Sequence, residues 1–273
     1  MTDRYAVIGN PIAHSKSPHI HTAFAQAAGH TIRYDKIEGE LGGFASAVDA
    51  FRAQGGLGLN VTVPFKLDAL AYATHASEAA RLCGAANALK FDGDTVWAQN
   101  FDGVGLTRDV VHNLNRPIRG QRVLILGAGG ATRGMLLPFL AERPATLVIA
   151  NRSVDKAQEL ATLVASHGDV HACGYGDLTG EAFDLVFNAT SASLTGGDLP
   201  IVSGVFSPQG MAYDLVYGKG LTPFLAQAQR AGVSAFADGV GMLVEQAAEA
   251  FEWWRGVRPD TAPVIEALTV PLT

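Results

Sequence analysis

Short apolar runs alternate with segments of helical periodicity along almost the whole chain. In the first third, apolar runs predict strands at Tyr5–Ile8, Ile32–Ile37 and Leu57–Val61. The segments between them, near His19–Ala28 and around Phe44–Gln54, repeat their apolar residues every three to four positions and are predicted to be helices. Strands that alternate with helices are typical of α/β proteins with largely parallel sheets.

Two short runs, Ala88–Phe91 and Thr95–Gln99, interrupt this alternation. The turn Asp92-Gly93-Asp94 between them indicates a hairpin. A helix near Val104–His112 and a linker over residues 115–120 then lead into a second alternating region. Its predicted elements are strands at Arg122–Leu126, Thr146–Ala150, Asp184–Asn188, Met211–Asp214 and Ser234–Ala237, a helix at Val154–His167, and a last helix at about Gly241–Trp254.

A glycine-rich turn stands between the first strand of this region and the helix that follows it. Residues 127–134 read Gly-Ala-Gly-Gly-Ala-Thr-Arg-Gly. Glycines let the backbone approach a pyrophosphate, and a helix N-terminus supplies free N–H groups and a positive dipole. The turn therefore predicts a dinucleotide site, with these cofactor-binding residues: Gly127, Ala128, Gly129, Gly130 and Ala131.

The end of the second strand of such a unit meets the adenosine ribose. An acidic residue there would accept from a 2′-hydroxyl, whereas basic and small polar residues receive a 2′-phosphate. Here Asn151, Arg152 and Ser153 follow the strand, and Lys156 lies in the first helical turn, where a cation opposes the helix dipole. Ser153 could simply cap that helix. The two cations Arg152 and Lys156, however, favour a bound anion at this position, and hence NADP over NAD.

Because the nucleotide unit lies in the middle of the chain, the last helix is expected to return to the first domain and to leave a cleft. We therefore expect two α/β domains. Residues 1–104 and 238–273 would form a substrate-binding domain with a mainly parallel sheet. Residues 105–237 would form a Rossmann-like NADP-binding domain in the C-terminal half.

Composition excludes several classes of protein. The 273 residues are 48% hydrophobic and 17% charged, with a net charge of −6, enough for a substantial core. No basic run indicates nucleic acid, and no signal peptide or membrane span is expected. Cys83 and Cys173 lack metal-ligand or disulfide spacing, and His14, His19 and His21 lack suitably spaced acidic residues. We expect a reduced, cytoplasmic enzyme without a metal.

Two serines follow the first strand, in the segment His14-Ser-Lys-Ser-Pro18. Ser17 and Pro18 could mark the start of a helix, with Ser17 as its N-cap. That interpretation leaves Ser15 unexplained. Alternatively, the two hydroxyls bind a carboxylate or hydroxyl group of a ligand, and local sequence does not decide between the two.

A lysine and an aspartate follow two other strands of the first domain. Lys66 closes the segment Asn-Val-Thr-Val-Pro-Phe-Lys after Leu57–Val61, where α/β proteins place ligands. Most lysines are merely solvated surface charges, and Asp102 in Asp-Gly could be a simple turn. With Asn87, which precedes a strand, they form a set of donors and acceptors suited to a small polyhydroxylated acid.

These blocks together resemble the shikimate dehydrogenase family, nearly from end to end. Several blocks in the family's order and spacing are far more specific than one glycine motif. In the first domain they are residues 9–18 (Gly-Asn-Pro-Ile-Ala-His-Ser-Lys-Ser-Pro), 60–66, 84–87 (Gly-Ala-Ala-Asn) and 100–105 (Asn-Phe-Asp-Gly-Val-Gly). They continue with residues 127–131, 151–153, 188–191 (Asn-Ala-Thr-Ser), 213–218 (Tyr-Asp-Leu-Val-Tyr-Gly) and 238–246 (Asp-Gly-Val-Gly-Met-Leu-Val-Glu-Gln).

The resemblance implies NADP-linked interconversion of shikimate and 3-dehydroshikimate in aromatic amino acid biosynthesis, by a monomer or homodimer. It implies the following site residues. Ser15, Ser17 and Tyr217 would hold the substrate carboxylate, and Thr62, Asn87 and Gln246 would join Lys66 and Asp102 around the ring hydroxyls. Asn151, Arg152, Ser153 and Lys156 would lie near the 2′-phosphate and adenine, and Ala189, Val216, Gly239 and Met242 near the ribose and nicotinamide.

Lys66 and Asp102 are expected to act as a catalytic pair. Since the cofactor carries the hydride, the protein must align two molecules and handle one proton. Lys66 would relay that proton, and Asp102 would orient Lys66 and the substrate. Two mild departures, Phe101 where Thr is common and Ala86 where Val is common, remove no catalytic group.

Three alternative functions predict different residues. The first is a quinate/shikimate dehydrogenase that prefers NAD or has relaxed cofactor use. The form that prefers NAD should carry an acidic residue at the ribose position, where Arg152 stands, and often changes the serine at position 15. A catalytically silent NADP-binding sensor should have lost Lys66 or Asp102. A methylenetetrahydrofolate-type dehydrogenase would not explain the pair Ser15 and Ser17.

Overall fold

The computed structural model describes residues 2–218 and 220–272 and divides the chain into two compact units. The first unit holds residues 1–105 and 244–264, and the second holds residues 106–243 and 265–273. This division differs from the expected boundaries at residues 238–243 and 265–273, which group with the nucleotide unit, and at Gly105, which groups with the first unit. The chain thus crosses between units three times, each time within a helix.

The first unit is built on a mixed sheet of six strands. Its order is β2-β1-β3-β5-β6-β4, and β5 runs antiparallel to both β3 and β6, so the predicted hairpin is confirmed. The strands are β1 (Asp3–Gly9), β2 (Ile32–Glu38), β3 (Gly56–Val61), β4 (His75–Ala76), β5 (Ala88–Asp92) and β6 (Thr95–Gln99). The helices are α1 (Ser17–Ala27), α2 (Phe44–Ala53), α3 (Lys66–Tyr72) and α4 (Glu78–Cys83).

The second unit is built on a fully parallel sheet of six strands, in the order β12-β11-β10-β7-β8-β9. Helix α5 (Asp102–Arg108) leads into it through a π-helical turn at Asp109–Asn113. Its strands are β7 (Arg122–Leu126), β8 (Thr146–Ala150), β9 (His171–Cys173), β10 (Phe183–Asn188), β11 (Phe206–Asp214) and β12 (Ala235–Asp238). The helices are α6 (Gly130–Ala141), α7 (Val154–Leu163), α8 (Ala192–Thr195) and α9 (Pro223–Arg230). Helix α10 (Val240–Arg255) begins in the second unit and continues in the first, and α11 (Ala262–Leu268) begins in the first and ends in the second.

The hydrophobic pattern places the cores as expected. Strand β7 buries Val123 through Leu126 completely, because helices cover both faces of a parallel sheet and leave no polar face to the strand. The α/β class and the two sheets are confirmed. The pattern did not predict strands β4 and β9, which have two and three residues, nor helices α4, α8, α9 and α11, which have six, four, eight and seven. All are shorter than the window of about 11 residues in which helical periodicity can be recognised.

Helix α1 buries a titratable ring. His21 is completely buried, and its ring stacks on that of Tyr34 at 4.4 Å with Trp254 beside it. Neither ring nitrogen has a hydrogen-bond partner in the described chain. The Asn60 side chain nevertheless lies near enough to raise the pKa of the ring and so to offset the effect of burial in part. Desolvation lowers the pKa of His21 to about 3. The ring is therefore neutral in the folded protein.

This burial predicts that the protein loses stability in mild acid. Since the pKa is lower in the folded state, the stabilisation is complete above pH ~6.5, the ordinary histidine pKa, and falls as the unfolded chain takes up a proton. The loss is about 1.4 kcal/mol per pH unit, or about 2 kcal/mol by pH 5. Urea unfolding at several pH values measures it, and His21→Phe should remove this one-proton slope. The matched control is His19→Asn, because His19 is exposed on the same helix. Equal slopes of the unfolding free energy against pH for the wild type and for His21→Phe would contradict the prediction.

No helix in the described parts of the chain combines the length and the apolar character that a membrane span requires.

Candidate active site

The predicted substrate residues of the first unit gather at one edge of its sheet. Strands β1 and β3 are parallel and end at this edge. Strand β6 ends there too, because β5 lies between β3 and β6 and is antiparallel to both. The loops that follow these strands carry Ser15, Thr62 and Asp102, and Asn87 directly precedes β5. Asn87 is anchored on both sides, since its backbone oxygen accepts from Val61 and its backbone nitrogen donates to Gln99.

Lys66 and Asp102 form an ion pair at this edge. The Lys66 Nζ lies 2.5 Å from Asp102 Oδ2, and both side chains are partly buried. Each is the first residue of its helix, Lys66 of α3 and Asp102 of α5, so backbone geometry sets both positions. The carboxylate also suits the positive end of α5.

Asn87 links this pair to helix α10. Its Nδ2 donates to Asp102 Oδ1 at 2.8 Å and to Gln246 Oε1 at 3.2 Å. Its Oδ1 accepts from the backbone nitrogen of Phe101 at 2.9 Å, which fixes the orientation of the amide. Gly105 permits the close approach of α10, because a Cβ there would stand 2.6 Å from the Gln246 backbone nitrogen. The structure therefore brings together Lys66, Asp102, Asn87 and Gln246.

Ser15 and Ser17 form a second group at the same edge. Ser17 is the first residue of α1, and no side chain caps that helix. The interpretation of Ser17 as an N-cap is therefore wrong. Instead, the Ser15 Oγ donates to the Ser17 Oγ at 3.3 Å and accepts from the Ser17 backbone nitrogen at 3.3 Å. Thr62 is held at the end of β3 by a hydrogen bond from its nitrogen to the Ile8 oxygen, at 3.0 Å.

The glycine turn of the second unit has the geometry of an anion cradle. Gly127 has a φ of 106°, which disfavours any side chain, and a Cβ there would stand 2.9 Å from Thr190 Cγ2. At Gly129 and Gly130, by contrast, a Cβ would meet nothing within 4 Å. Helix α6 begins at Gly130, and no side chain caps it. Ala128 and Ala131 complete the turn.

The tip of β8 presents two basic side chains. Arg152, Ser153 and Lys156 are all exposed, and Ser153 does not cap α7 with its side chain. The Asn151 Nδ2 donates to the Ser153 oxygen at 2.9 Å and shapes the turn. Arg152 also faces Tyr175: burial raises the pKa of this phenol, and the Arg152 charge lowers it in part.

The residues implied near the nicotinamide follow three neighbouring strands of the same sheet. The Ala189 nitrogen donates to the Leu126 oxygen at 2.9 Å, which places the loop after β10 beside the glycine turn. After β11 and β12, the Gly239 nitrogen donates to the Val216 oxygen at 3.5 Å, and the Met242 nitrogen to the Tyr213 hydroxyl at 3.3 Å. All the predicted cofactor residues therefore lie at the carboxyl edge of one parallel sheet, where α/β proteins bind ligands.

Asp214 is a structural centre of this edge that sequence reasoning did not single out. It is completely buried and accepts hydrogen bonds from Ser193 at 2.6 Å, Thr222 at 2.5 Å and Asn188 at 3.1 Å, and from the Val216 nitrogen at 3.1 Å. Burial raises the pKa of this carboxyl, and these hydrogen bonds lower it in part. Its position at the end of β11 was the only signal in the sequence.

Removing this carboxylate should destabilise the protein. Asp214→Ala leaves three buried side-chain donors without their acceptor, and one such donor costs about 1–3 kcal/mol. We expect the free energy of unfolding to fall by about 3 kcal/mol, measured by urea denaturation. Asp198→Ala, whose exposed carboxylate pairs with Arg230, is the control and should change it little. Equal stability of the two variants would contradict the assigned role.

Tyr217 belongs to the second unit, in the loop after β11, and is 42% exposed. The other predicted substrate residues belong to the first unit. Within the described residues, no group of three or more His, Cys, Asp or Glu side chains could hold a metal ion.

A parallel sheet with an open glycine turn, and a lysine–aspartate pair in the other unit, define a two-unit α/β oxidoreductase that binds a dinucleotide. The shikimate dehydrogenase (NADP(+)) of Aromatoleum aromaticum is 54% identical to this chain over 269 residues, which cover 97% of this chain and 96% of that protein. The chain belongs to the shikimate dehydrogenase family.

Family models and solved structures agree with this assignment. The shikimate dehydrogenase substrate binding domain matches residues 7–89, shikimate / quinate 5-dehydrogenase matches residues 109–195, and the shikimate 5′-dehydrogenase C-terminal domain matches residues 239–269. An Ael1 enzyme from Pseudomonas putida is 55% identical, with a TM-score of 0.96 over 100% of both chains. Shikimate 5-dehydrogenase from Thermus thermophilus, in complex with NADP(H) and shikimate, is 28% identical, with a TM-score of 0.86 over 98% of each chain.

Proposed function

We propose that Lys66 and Asp102 carry out the proton transfer of the family's reaction in this chain, the NADP-dependent interconversion of 3-dehydroshikimate and shikimate. The observation that carries the proposal is the contact of 2.5 Å between the Lys66 Nζ and Asp102 Oδ2, with Asn87 bonded to the other carboxylate oxygen. A paired amine and carboxylate with a fixed amide beside them can hold a hydroxyl group and move its proton.

The first unit orients the substrate. Ser15 and Ser17 offer two neighbouring hydroxyls to a carboxylate. Thr62, Asn87 and Gln246 offer hydroxyl and amide groups to the ring hydroxyls. Asp102 aligns Lys66, because one of its oxygens holds the amine and the other is held by Asn87.

Lys66 handles the proton. When shikimate is oxidised, Lys66 in its neutral amine form takes the proton of the reacting hydroxyl at Nζ, and the ammonium group that results, paired with Asp102, stabilises the negative charge that develops on that oxygen. When 3-dehydroshikimate is reduced, the same atom returns a proton to the carbonyl oxygen. The NADP cofactor, when bound, accepts or supplies the hydride that completes the exchange.

The second unit fits NADP. The open space at Gly129 and Gly130 and the uncapped start of α6 suit a pyrophosphate. Arg152 and Lys156 are exposed cations at the tip of β8, and no acidic side chain stands between Asn151 and Val154 to accept from a free 2′-hydroxyl. The same residues disfavour the alternative of relaxed cofactor use, and the intact pair disfavours a silent sensor.

One assay tests the function as a whole. Purified protein is supplied with shikimate or quinate, each with NADP or NAD, and cofactor reduction is followed by absorbance. The proposal predicts turnover of shikimate with NADP far above the other three combinations. Turnover confined to quinate with NAD would overturn both the substrate and the cofactor, and binding without any turnover would support the sensor.

The proposed active species is a monomer or a homodimer in the cytoplasm. Cys83 and Cys173 are both thiols rather than disulfide partners, as a reducing compartment would keep them. Light scattering of the active protein distinguishes the two assembly states.

A further inference from the structure

A buried asparagine that the predicted site does not include adjoins Asp102. Asn100 directly follows β6 and is 5% exposed. Its Oδ1 accepts a hydrogen bond from the Asp102 backbone nitrogen at 3.1 Å. This contact holds the backbone of the aspartate and leaves the two carboxylate oxygens to Lys66 and Asn87.

The nitrogen of the Asn100 amide is anchored in a different segment. It donates to the Ala85 backbone oxygen at 3.0 Å and to the Cys83 Sγ at 3.2 Å. An amide has one acceptor oxygen and two N–H donors, and each of them has a partner of the matching kind here. Turning the amide over would set its oxygen against the Ala85 oxygen and its N–H groups against the Asp102 N–H. These partners therefore fix its orientation.

Asn100 and Asn87 bind two successive N–H groups of the backbone. The Asn87 Oδ1 accepts from the Phe101 nitrogen at 2.9 Å, and the Asn100 Oδ1 accepts from the next nitrogen, that of Asp102. Both donors lie at the start of α5, where a helix has no carbonyl partners of its own to offer them. Two buried amides thus determine where the first residue of this helix, Asp102, is placed.

The segment that anchors Asn100 also holds Lys66. The Ala86 nitrogen donates to the Lys66 backbone oxygen at 2.8 Å, and its neighbour Ala85 accepts from Asn100. The backbones of Lys66 and Asp102 are thus tied to the same two residues, one directly and the other through Asn100. A shift of Asn100 would therefore move Asp102 relative to Lys66.

We propose that Asn100 is a positioning residue for the catalytic pair, acting through the backbone of Asp102. The inference rests on the proposed function, in which Asp102 aligns Lys66 for proton transfer. Asn100 itself does no chemistry, because its oxygen and its nitrogen are both engaged with the protein. It keeps the carboxylate at the place where the amine meets it, and a displacement of about 1 Å at such a place can lower a rate up to about a hundredfold.

Asn100→Ala tests the inference, because it removes both the acceptor of the Asp102 nitrogen and the anchor at Ala85. We expect kcat for shikimate to fall about tenfold and KM for NADP, which is assigned to the second unit, to stay unchanged. In an Asp102→Asn background the same substitution should lower kcat by less than about twofold further, because the carboxylate that it positions is already gone. An unchanged kcat in the single variant, or an equal loss in both backgrounds, would overturn the proposal.

Asn100→Ser separates the two ends of the amide. A serine hydroxyl can accept from the nitrogen two residues further on, as asparagine does but more weakly, and it cannot replace both donated bonds. Its kcat should therefore lie between those of the wild type and Asn100→Ala, and a value at or below that of Asn100→Ala would refute action through the Asp102 nitrogen. If the alanine variant does not fold, Asn100→Ser is measured in both backgrounds, and kcat should fall only where Asp102 is present.

Ser77→Ala is the control for a general loss of stability. The Ser77 Oγ caps α4, the helix that ends at Cys83, by accepting from the Ala80 nitrogen at 3.1 Å. Loss of this cap should destabilise the protein in urea denaturation and leave kcat unchanged, whereas a loss of kcat equal to that of Asn100→Ala would refute positioning. If the wild type does not turn over shikimate, or if Asp102→Asn keeps a normal kcat, the proposed function fails. If both behave as expected and Asn100→Ala has the kcat of the wild type, only the inference fails.

Discussion

Replacing Lys66 with alanine should lower kcat by about a hundredfold or more, the scale of general acid–base catalysis, with a much smaller change in KM. The amine contacts Asp102 and is the one basic group of the pair, so its removal leaves no group in that pair to relay the proton. Ring hydroxyls would still find Asn87, Thr62 and Gln246. Steady-state kinetics with saturating NADP and varied shikimate separate the two parameters.

Matched variants sharpen this expectation. Lys90→Ala removes a lysine of the same unit whose amine donates to the Trp253 oxygen, and it should leave kcat unchanged. Asp102→Asn should also lower kcat, and the double variant with Lys66→Ala should be little worse than the single ones, because residues that act as a unit are not additive. A near-normal kcat for Lys66→Ala would remove Lys66 from the chemistry.

Replacing Arg152 with aspartate should lower kcat/KM for NADP about 10- to 100-fold, since a hydrogen bond to a charged group contributes about 1.5–3 kcal/mol. The effect should fall on KM, because a 2′-phosphate lies far from the reacting carbon. The new carboxylate repels that phosphate but can accept from a free 2′-hydroxyl. Turnover with NAD should therefore be unchanged or improved, which kinetics with both cofactors measure.

The control for this substitution lies on the same sheet. Arg122 is exposed at the start of β7, at the edge opposite to the glycine turn, and Arg122→Asp should leave the preference for NADP intact. Equal losses with NADP and NAD in Arg152→Asp would show that the arginine supports folding or the adenine rather than the 2′-phosphate.

The local pattern of residues in the sequence predicted much of the fold and half of the site. Alternating apolar runs predicted most strands, and residues that follow strands collect at a common edge of the sheet. This rule connected Lys66 with Asp102, which are 36 positions apart. It also placed Arg152 and the glycine turn together.

The remainder depended on contacts that leave no local trace. Asn87 and Gln246 are 159 positions apart and meet only because α10 passes over the start of β5. Asp214 looks like any polar residue at a strand end until Ser193, Thr222 and Asn188 surround it. Tyr34 alternates as a half-buried strand residue should, and only the folded sheet brings its hydroxyl to Asn60.

Gly105 has no functional group, yet its small size limits the substitutions that the chain can accept. Any larger residue there would displace the backbone at Gln246, whose Oε1 accepts from the Asn87 amide that holds Asp102. In a saturation scan, this position would show the intolerance of a catalytic residue while offering nothing to the substrate. Functional constraint in this segment therefore reflects clearance as much as chemistry.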